Sequence, residues 1–458
     1  MPAERVTVFI MRNLYRYVGL LSALFMAGCM SPAPRHVNLM PAPDVYNDKG
    51  FTPFIEDLDK GAAPYQGMLY ATDRAPVDSG SNKDTDDRFY ISQRGHLLRL
   101  GMARIELGKD NFSWEEARKI SLAKNRPDEY PLKVTSIDEF GIFHGSYHQF
   151  VDKAQQAASS DAAAKHFADL VNRKLAISKK KDIFIYIPGY KVVFENPALV
   201  ATELWHYLGY EGVFIAFSWP ATPKQTAYFA DAETTILSAN HLRRFLKYLA
   251  QHTNAERINI IAYSQGTRLI TEAMHDLALI NHDKPRNEVQ RSLRIGNVLL
   301  VGSDMGRDVI GNYLVDGLLK VPEHLTVYVS EKDKALGLSK FFYGHGRLGQ
   351  MFTPGEMTEA TSEYLRQTSE ISIINVTNAE GADTENGHRY FRKSPWASSD
   401  ILMTLRYDLT PSARGLVRNE DSPVWDFPTD YINRLRNAIT KANPALKKAL
   451  EQQEVSKP

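Results

Sequence analysis

One stretch limits what this chain can fold into more than any other: Arg257 to Ile280. A β-branched apolar run (Ile258, Ile260, Ile261) meets Ala262-Tyr263-Ser264-Gln265-Gly266 and leaves as a helical pattern with Leu269, Ala273, Leu277 and Ile280 on one face. A strand, a sharp turn and a helix with a serine at the apex form a nucleophile elbow. Such a turn holds the serine in a strained backbone conformation, so the residues two before and two after it must be small. Gly266 satisfies this, and Ala262 does so with the smallest possible side chain.

The surrounding pattern places the elbow in a parallel sheet. Ile183 to Ile187 is a short, continuous apolar run, as expected of a strand buried on both faces. Pro188-Gly189-Tyr190 breaks it. Asn196-Pro197 starts a helix that Gly209 stops. Val213 to Phe217 is the next strand, and a helical stretch from Ile236 to Leu249 leads to the elbow strand. Further strands follow at 295–301, 325–329 and 371–376. Strands alternating with helices predict a mostly parallel sheet with helices on both faces. Earlier strand-like pieces at 66–72, 97–107 and 133–143 predict antiparallel leading strands. The polar stretch 79–87 does not have the spacing of a calcium loop. A helical pattern from about His148 to Ile177 ends in lysines that complement the helix dipole.

In open sheets of this kind, ligands sit at the carboxyl ends of the strands, so the chemistry belongs in the loops that follow them. A serine hydroxyl needs a base to take its proton and an acid to orient that base. Behind an elbow, these follow in the order serine, acid, histidine. Asp333 lies after the strand 325–329 and His388 after the strand 371–376, which makes them the orienting acid and the general base. Asp304 is the rival acid, preferred less because Asp333 follows a later strand; Glu331 and Asp383 are weaker candidates. His345 precedes the last of these strands and would have to fold back, while His275 and His324 suit structural or surface roles. The oxyanion donors are expected to be the backbone N–H of Gln265, directly after the serine, and of Tyr190, after the first parallel strand.

The amino terminus has a separate character. Arg5, Arg12 and Arg16 precede an apolar run from Val18 to Gly28, too short to span a bilayer but the length of a signal-peptide core. Met26-Ala27-Gly28-Cys29 resembles a bacterial lipobox, and Cys29 is the chain's single cysteine. The resemblance implies export and acylation at Cys29; Met30, in place of aspartate, favours the outer membrane facing the periplasm. Met11 would give a more compact leader. Residues 30–52 are proline-rich and aperiodic, and predict an extended tether. A single cysteine excludes an intrachain disulfide or a thiolate metal cluster. A net charge of +1 over 458 residues gives no electrostatic case for nucleic-acid binding.

Three separated pieces then combine. Ile187-Pro188-Gly189-Tyr190 with Phe194, Phe217-Ser218-Trp219-Pro220 with Tyr228 and Asp231, and the elbow resemble a bacterial, esterase- or lipase-like branch of the α/β-hydrolase superfamily. Leu69 to Arg74, Tyr328 to Leu336, Arg347 to Gly349 and Gly387-His388 extend the resemblance over roughly Pro64 to Leu405. It differs at two points, with Pro188 and Tyr263 where the family usually has histidine. The expected division is a signal peptide at 1–28, a lipid-attached tether and lead-in at 29–63, an α/β-hydrolase domain at 64–410, and a C-terminal helix and polar tail at 411–458. The implied activity is that of a lipid-anchored serine hydrolase of the envelope, cleaving a carboxylic ester or thioester without metal or cofactor. The alternative is an inactive hydrolase-fold lipoprotein that binds an envelope partner or lipid. Residues 335–369, with Phe341, Phe342, Tyr343 and Phe352, form either a lid or, preferred, a packed excursion.

Overall fold

The computed structural model describes residues 35–46, 51–54, 67–77, 88–108, 113–123, 126, 128–148, 161–352, 356–418, 420, 422–444 and 446–447. The strands, in chain order, are β1 (His36–Asn38), β2 (Met68–Pro76), β3 (Tyr90–Leu107), β4 (Pro131–Ile142), β5 (Asp182–Ile187), β6 (Val213–Ser218), β7 (Arg257–Tyr263), β8 (Ile295–Val301), β9 (His324–Val329), β10 (Ile371–Asn375) and β11 (Val424–Asp426). Six helices precede or accompany the first half of the parallel sheet: α1 (Trp114–Ser121), α2 (Ala162–Ile177), α3 (Glu195–Tyr207), α4 (Tyr228–His252), α5 (Gly266–Ile280) and α6 (Arg286–Leu293). Six more follow: α7 (Arg307–Val315), α8 (Lys334–Tyr343), α9 (Glu359–Gln367), α10 (Tyr390–Lys393), α11 (Pro395–Tyr407) and α12 (Tyr431–Ala442).

The strands join one sheet in the order β1-β4-β3-β2-β6-β5-β7-β8-β9-β10-β11. β1 to β4 pair antiparallel, and every pairing from β2–β6 onward is parallel. The chain runs from β5 out to β6 and then returns to β7 on the other side of β5. The loops after β5 and β7 therefore diverge at a switch point, where such sheets open a crevice. That topology brings Tyr190 and Ser264 side by side.

Alternation along the strands builds two cores. Phe184 and Tyr186 of β5 join Phe214, Ile261, Leu299, Tyr328 and Ile374 against α3, α11 and α12. Ile183, Ile185 and Ile187 join Ile215, Ile260, Leu300 and Val327 against α2, α4 and α5. Each parallel strand is thus covered on both faces, which explains why its sequence reads as a continuous apolar run rather than an alternation.

Three expectations need correction. Residues 36–46 are not a free tether: β1 pairs with β4, and Val37, Met40, Val45 and Tyr46 are buried. The segment is held as a strap by Met40 N–H donating to Glu203 Oε2 (2.7 Å), Tyr46 Oη–H to the Tyr207 carbonyl (2.7 Å) and Trp396 Nε1–H to Asp44 Oδ2 (3.1 Å). Beyond the three residues of β1, hydrogen bonds to distant elements rather than regular pairing fix the strap, so its apolar residues follow no helical or strand period. Next, β10 is not the final strand, since the three residues of β11 add parallel to its outer edge. Lastly, the segment after 411 is not separate from the body: Arg414 is buried against Asp400 of α11 (Nε–Oδ1 2.6 Å), and Tyr431 of α12 donates to the same oxygen (2.6 Å). The leader with Cys29, the loop 79–87 and the last residues from 448 lie outside the described residues.

Candidate active site

The elbow takes the strained form its sequence predicts. Ser264 has φ +53°, in the left-handed region that a residue with a Cβ rarely enters. Its N–H donates to Val301 of the neighbouring β8 (2.9 Å), and its carbonyl accepts from Thr267 Oγ1 (2.6 Å) and Thr267 N–H (3.1 Å), so both ends of the turn are tied down. A Cβ on Gly266 would come within 2.3 Å of the Pro188 carbonyl oxygen, which shows why this position is glycine.

His388 Nε2 lies 2.9 Å from Ser264 Oγ, and His388 Nδ1 lies 2.6 Å from Asp333 Oδ2. All three residues are buried. A carboxylate only accepts, so the Nδ1 proton faces Asp333 and the lone pair of Nε2 is left to accept from the serine hydroxyl. Asp333 divides its carboxylate between two tasks: Oδ2 meets the imidazole, while Oδ1 accepts from Leu336 N–H (3.0 Å) as the N-cap of α8. The cap fixes the rotamer that presents Oδ2.

The histidine loop is fastened from several directions. Lys334 N–H donates to the Asn386 carbonyl (3.0 Å), and Glu331 N–H to Thr377 Oγ1 (3.0 Å), which ties the loops after β9 and β10 together. Tyr390 Oη accepts from Gly302 N–H (2.6 Å) and donates to the Tyr328 carbonyl (3.0 Å). Gly302, with φ +54°, leaves room for the ring, because a Cβ there would stand 3.0 Å from His388 Cε1. Tyr390 and Gly302 escape sequence reasoning; the Val301-Gly302-Ser303 break directly after a strand is the signal that marks the glycine.

Opposite the serine, Gly189 packs so closely that a Cβ would be 2.8 Å from Ser264 Cβ. Trp219 Nε1–H donates to the Pro188 carbonyl (2.8 Å), and the buried Arg74 donates through Nη2 to the carbonyls of Val192 (2.9 Å) and Ala221 (3.0 Å). The peptides from Pro188 to Val192 are therefore clamped beside Ser264, with Tyr190 N–H next in the chain after Gly189. Gln265 lies across from them at the start of α5, and its side chain donates to the Tyr228 carbonyl (2.8 Å).

A model of alpha/beta hydrolases of unknown function (DUF900) matches residues 162–406, just over half of the 458-residue chain. The chain belongs to that family. No curated protein matches it. The matched region of this alpha/beta hydrolase runs from α2 to α11 and includes Ser264, Asp333 and His388; the strap, the antiparallel strands, β11 and α12 lie beyond it. The two departures at Pro188 and Tyr263 displace no member of the relay. Pro188 supplies the carbonyl that Trp219 holds, and the Tyr263 ring packs 4.9 Å from His388 and 4.8 Å from Phe391.

The rival residues go elsewhere. Asp304 accepts from Tyr228 Oη (2.7 Å) and Ser339 Oγ (2.5 Å) and pairs with Arg268 Nε (3.2 Å), so its carboxylate is occupied away from His388. The same network holds α8 down: the Tyr343 ring lies against the guanidinium groups of Arg347 (4.0 Å) and Arg268 (5.0 Å). The first part of 335–369 is therefore packed against the body. His345 is exposed beside Asp308 (3.6 Å), and His275 stacks on Tyr313 at 3.9 Å and meets Asp316 (2.8 Å). His324 bonds Ser372 Oγ (2.9 Å), and burial pulls its pKa down to about 4. Glu331 is exposed, and Asp383 pairs with Lys332 (3.4 Å).

Ser264 and His388 open into a cleft of about 1150 Å³. Its lining includes Val37, Leu39, Met40, Val200 and Phe391 on the strap side and Tyr228, Phe229 and Leu338 from α4 and α8. A predominantly apolar cleft with a few convergent polar groups is the usual form of a small-molecule site.

Proposed function

We propose that this protein is a serine hydrolase that cleaves a carboxylic ester or thioester through an acyl-enzyme. The observation that carries the reading is the unbroken relay Ser264–His388–Asp333, with contacts of 2.9 and 2.6 Å, at the mouth of an apolar cleft. Ser264 Oγ attacks the carbonyl carbon as His388 takes the hydroxyl proton, and Asp333 stabilises the imidazolium without itself being protonated. The negative oxygen develops between the N–H groups of Gln265 and Tyr190, where the positive end of α5 also favours it. His388 returns its proton to the leaving group, and water, activated by the same imidazole, releases the acid.

The reading is tested with short-chain p-nitrophenyl esters and the matching thioesters. A pre-steady-state burst that Ser264→Ala abolishes supports it. Equal turnover by wild type and Ser264→Ala contradicts it.

We further propose that the enzyme is anchored in the bacterial envelope by acylation of Cys29, on the outer membrane facing the periplasm. The support is the arginine-flanked apolar run ending in Met26-Ala27-Gly28-Cys29 at the only cysteine of the chain. Membrane fractionation of Cys29→Ala tests this; unchanged processing and membrane association would refute it.

A further inference from the structure

The cleft that holds the relay is unequally charged. Its two exposed acids, Asp128 and Glu129, lie at the strap end, where Glu129 accepts from Asn38 Nδ2 (2.7 Å), and its third, Asp304, is buried and paired with Arg268. Of the cations lining the cleft, Arg126 donates to the strap carbonyls of Leu39 (3.1 Å) and Met40, Arg392 is neutralised by Glu203 (3.0 Å) and Lys393 by Glu385 (3.1 Å). Three others stand beside the chemistry. Lys191 directly follows Tyr190, Lys334 directly follows Asp333, and Arg389 directly follows His388. Lys334 and Arg389 are exposed and Lys191 is half-buried; among the described residues none of the three has a carboxylate within ion-pairing distance. The Arg389 charge reaches the buried phenols of Tyr186 and Tyr263 in the cleft wall, where it works against the burial that raises both.

Three loops from three different strands thus each place a cation, without a carboxylate partner among the described residues, one residue from Tyr190, Asp333 or His388. The strap side of the cleft also offers apolar surface, from Val37, Leu39, Met40, Val200 and Phe391. Cations grouped at a cleft mouth attract an anion, and a low-dielectric wall behind them strengthens the attraction. Resting on the hydrolase reading above, we propose that the substrate is an acyl ester or thioester whose leaving group bears phosphate, with the acyl chain under the strap and the phosphate against Lys191, Lys334 and Arg389. Ser264 Oγ bonds to the carbonyl carbon, and the C–O or C–S bond breaks. The leaving group takes the proton held by His388 and departs with its phosphate intact.

Two sources share this chemistry, a glycerol phosphate lipid and an acyl-coenzyme A thioester. Binding is measured first, by titration calorimetry on full-length Ser264→Ala, with 1-O-dodecylglycerol and its 3-phosphate, ethers that carry no cleavable bond. The phosphate is expected to bind at least tenfold tighter at low salt, with a margin that narrows as salt screens it. Lys191→Glu, Lys334→Glu and Arg389→Glu should each reduce that margin, and the triple variant should remove it, while the neutral ether binds as before and circular dichroism is unchanged. Equal affinity for the two ethers, or a margin that survives the triple reversal, overturns the proposal. Wild-type turnover of 1-lauroylglycerol 3-phosphate, lauroyl-coenzyme A and 1-lauroylglycerol then separates the sources; fastest turnover of the neutral ester also overturns it. Phosphate-selective binding to a protein whose Ser264 reacts with no fluorophosphonate would sink the hydrolase reading while leaving the anion site standing.

Discussion

Gly189→Ala tests how closely the loop after β5 and Ser264 are matched, as the proposed oxyanion hole requires. Gly189 has no positive φ, so alanine meets no backbone obstacle, and the perturbation is the methyl group alone. The new Cβ would stand 2.8 Å from Ser264 Cβ and 3.3 Å from its Oγ, whereas ordinary contact begins at 3.4 Å. Either the serine or the loop must therefore retreat by about 0.6 Å. Neither is free to do so cheaply: the loop is held by Trp219 and Arg74, and the elbow by Val301 and Thr267. A misplacement of about 1 Å costs about a hundredfold in rate, and loss of one oxyanion donor about 10²–10³. A shift of this size predicts a fall of roughly ten- to a hundredfold, or about 1.4–2.7 kcal/mol in the barrier. The assay is the second-order rate constant for modification by a fluorophosphonate, whose tetrahedral adduct uses the same donors, with thermal unfolding as the control. A folded Gly189→Ala protein that reacts within twofold of wild type would refute the claimed fit.

Four further outcomes follow from the same geometry. Asp333→Asn should slow modification of Ser264 by about 10³–10⁴, since it loses the acceptor that sets the imidazole tautomer; Asp304→Asn should stay within tenfold of wild type but melt earlier, and the reverse order would exchange their roles. Asp400→Ala leaves the buried Arg414 without its partner and should cost about 3–5 kcal/mol in urea unfolding. Trp219→Phe removes the N–H that holds the Pro188 carbonyl and should lower kcat more than it raises KM; a pure KM effect would assign it to substrate binding. Stability should fall as pH drops below 6.5, because burial holds His206 at about 3 and His324 at about 4, so the unfolded chain takes up protons that the folded one refuses. Each contributes a slope of about 1.4 kcal/mol per pH unit down to its folded pKa. Asp231, raised by burial to about 6, works the other way between pH 4 and 6, and His206→Phe should remove one unit of the slope in urea titrations at stepped pH.

Much of this architecture is legible in the chain because its central strands are buried on both faces. A run such as Ile183 to Ile187 admits few other interpretations, and the strands at 295–301 and 371–375 fall within a residue of where pattern alone puts them. The three relay residues could be picked out because each follows such a strand in the order a parallel sheet requires. The strap is another matter. Pro41, Pro43 and an irregular set of apolar residues look like a linker, since what orders them is Glu203, Tyr207 and Trp396, all far away in sequence. β11 is three residues long, below the reach of any periodicity. Gly302 and Tyr390 act through contacts across the sheet, and neither carries a local motif that announces a partner.

Covalent capture tests most directly whether Ser264 is an activated nucleophile. Purified protein is incubated with a fluorophosphonate, digested, and its peptides are weighed by mass spectrometry. The account predicts a single adduct on Ser264, absent in Ser264→Ala and formed far more slowly in His388→Ala. A folded protein that carries no adduct at Ser264, or that acquires one at the same rate without His388, would contradict it.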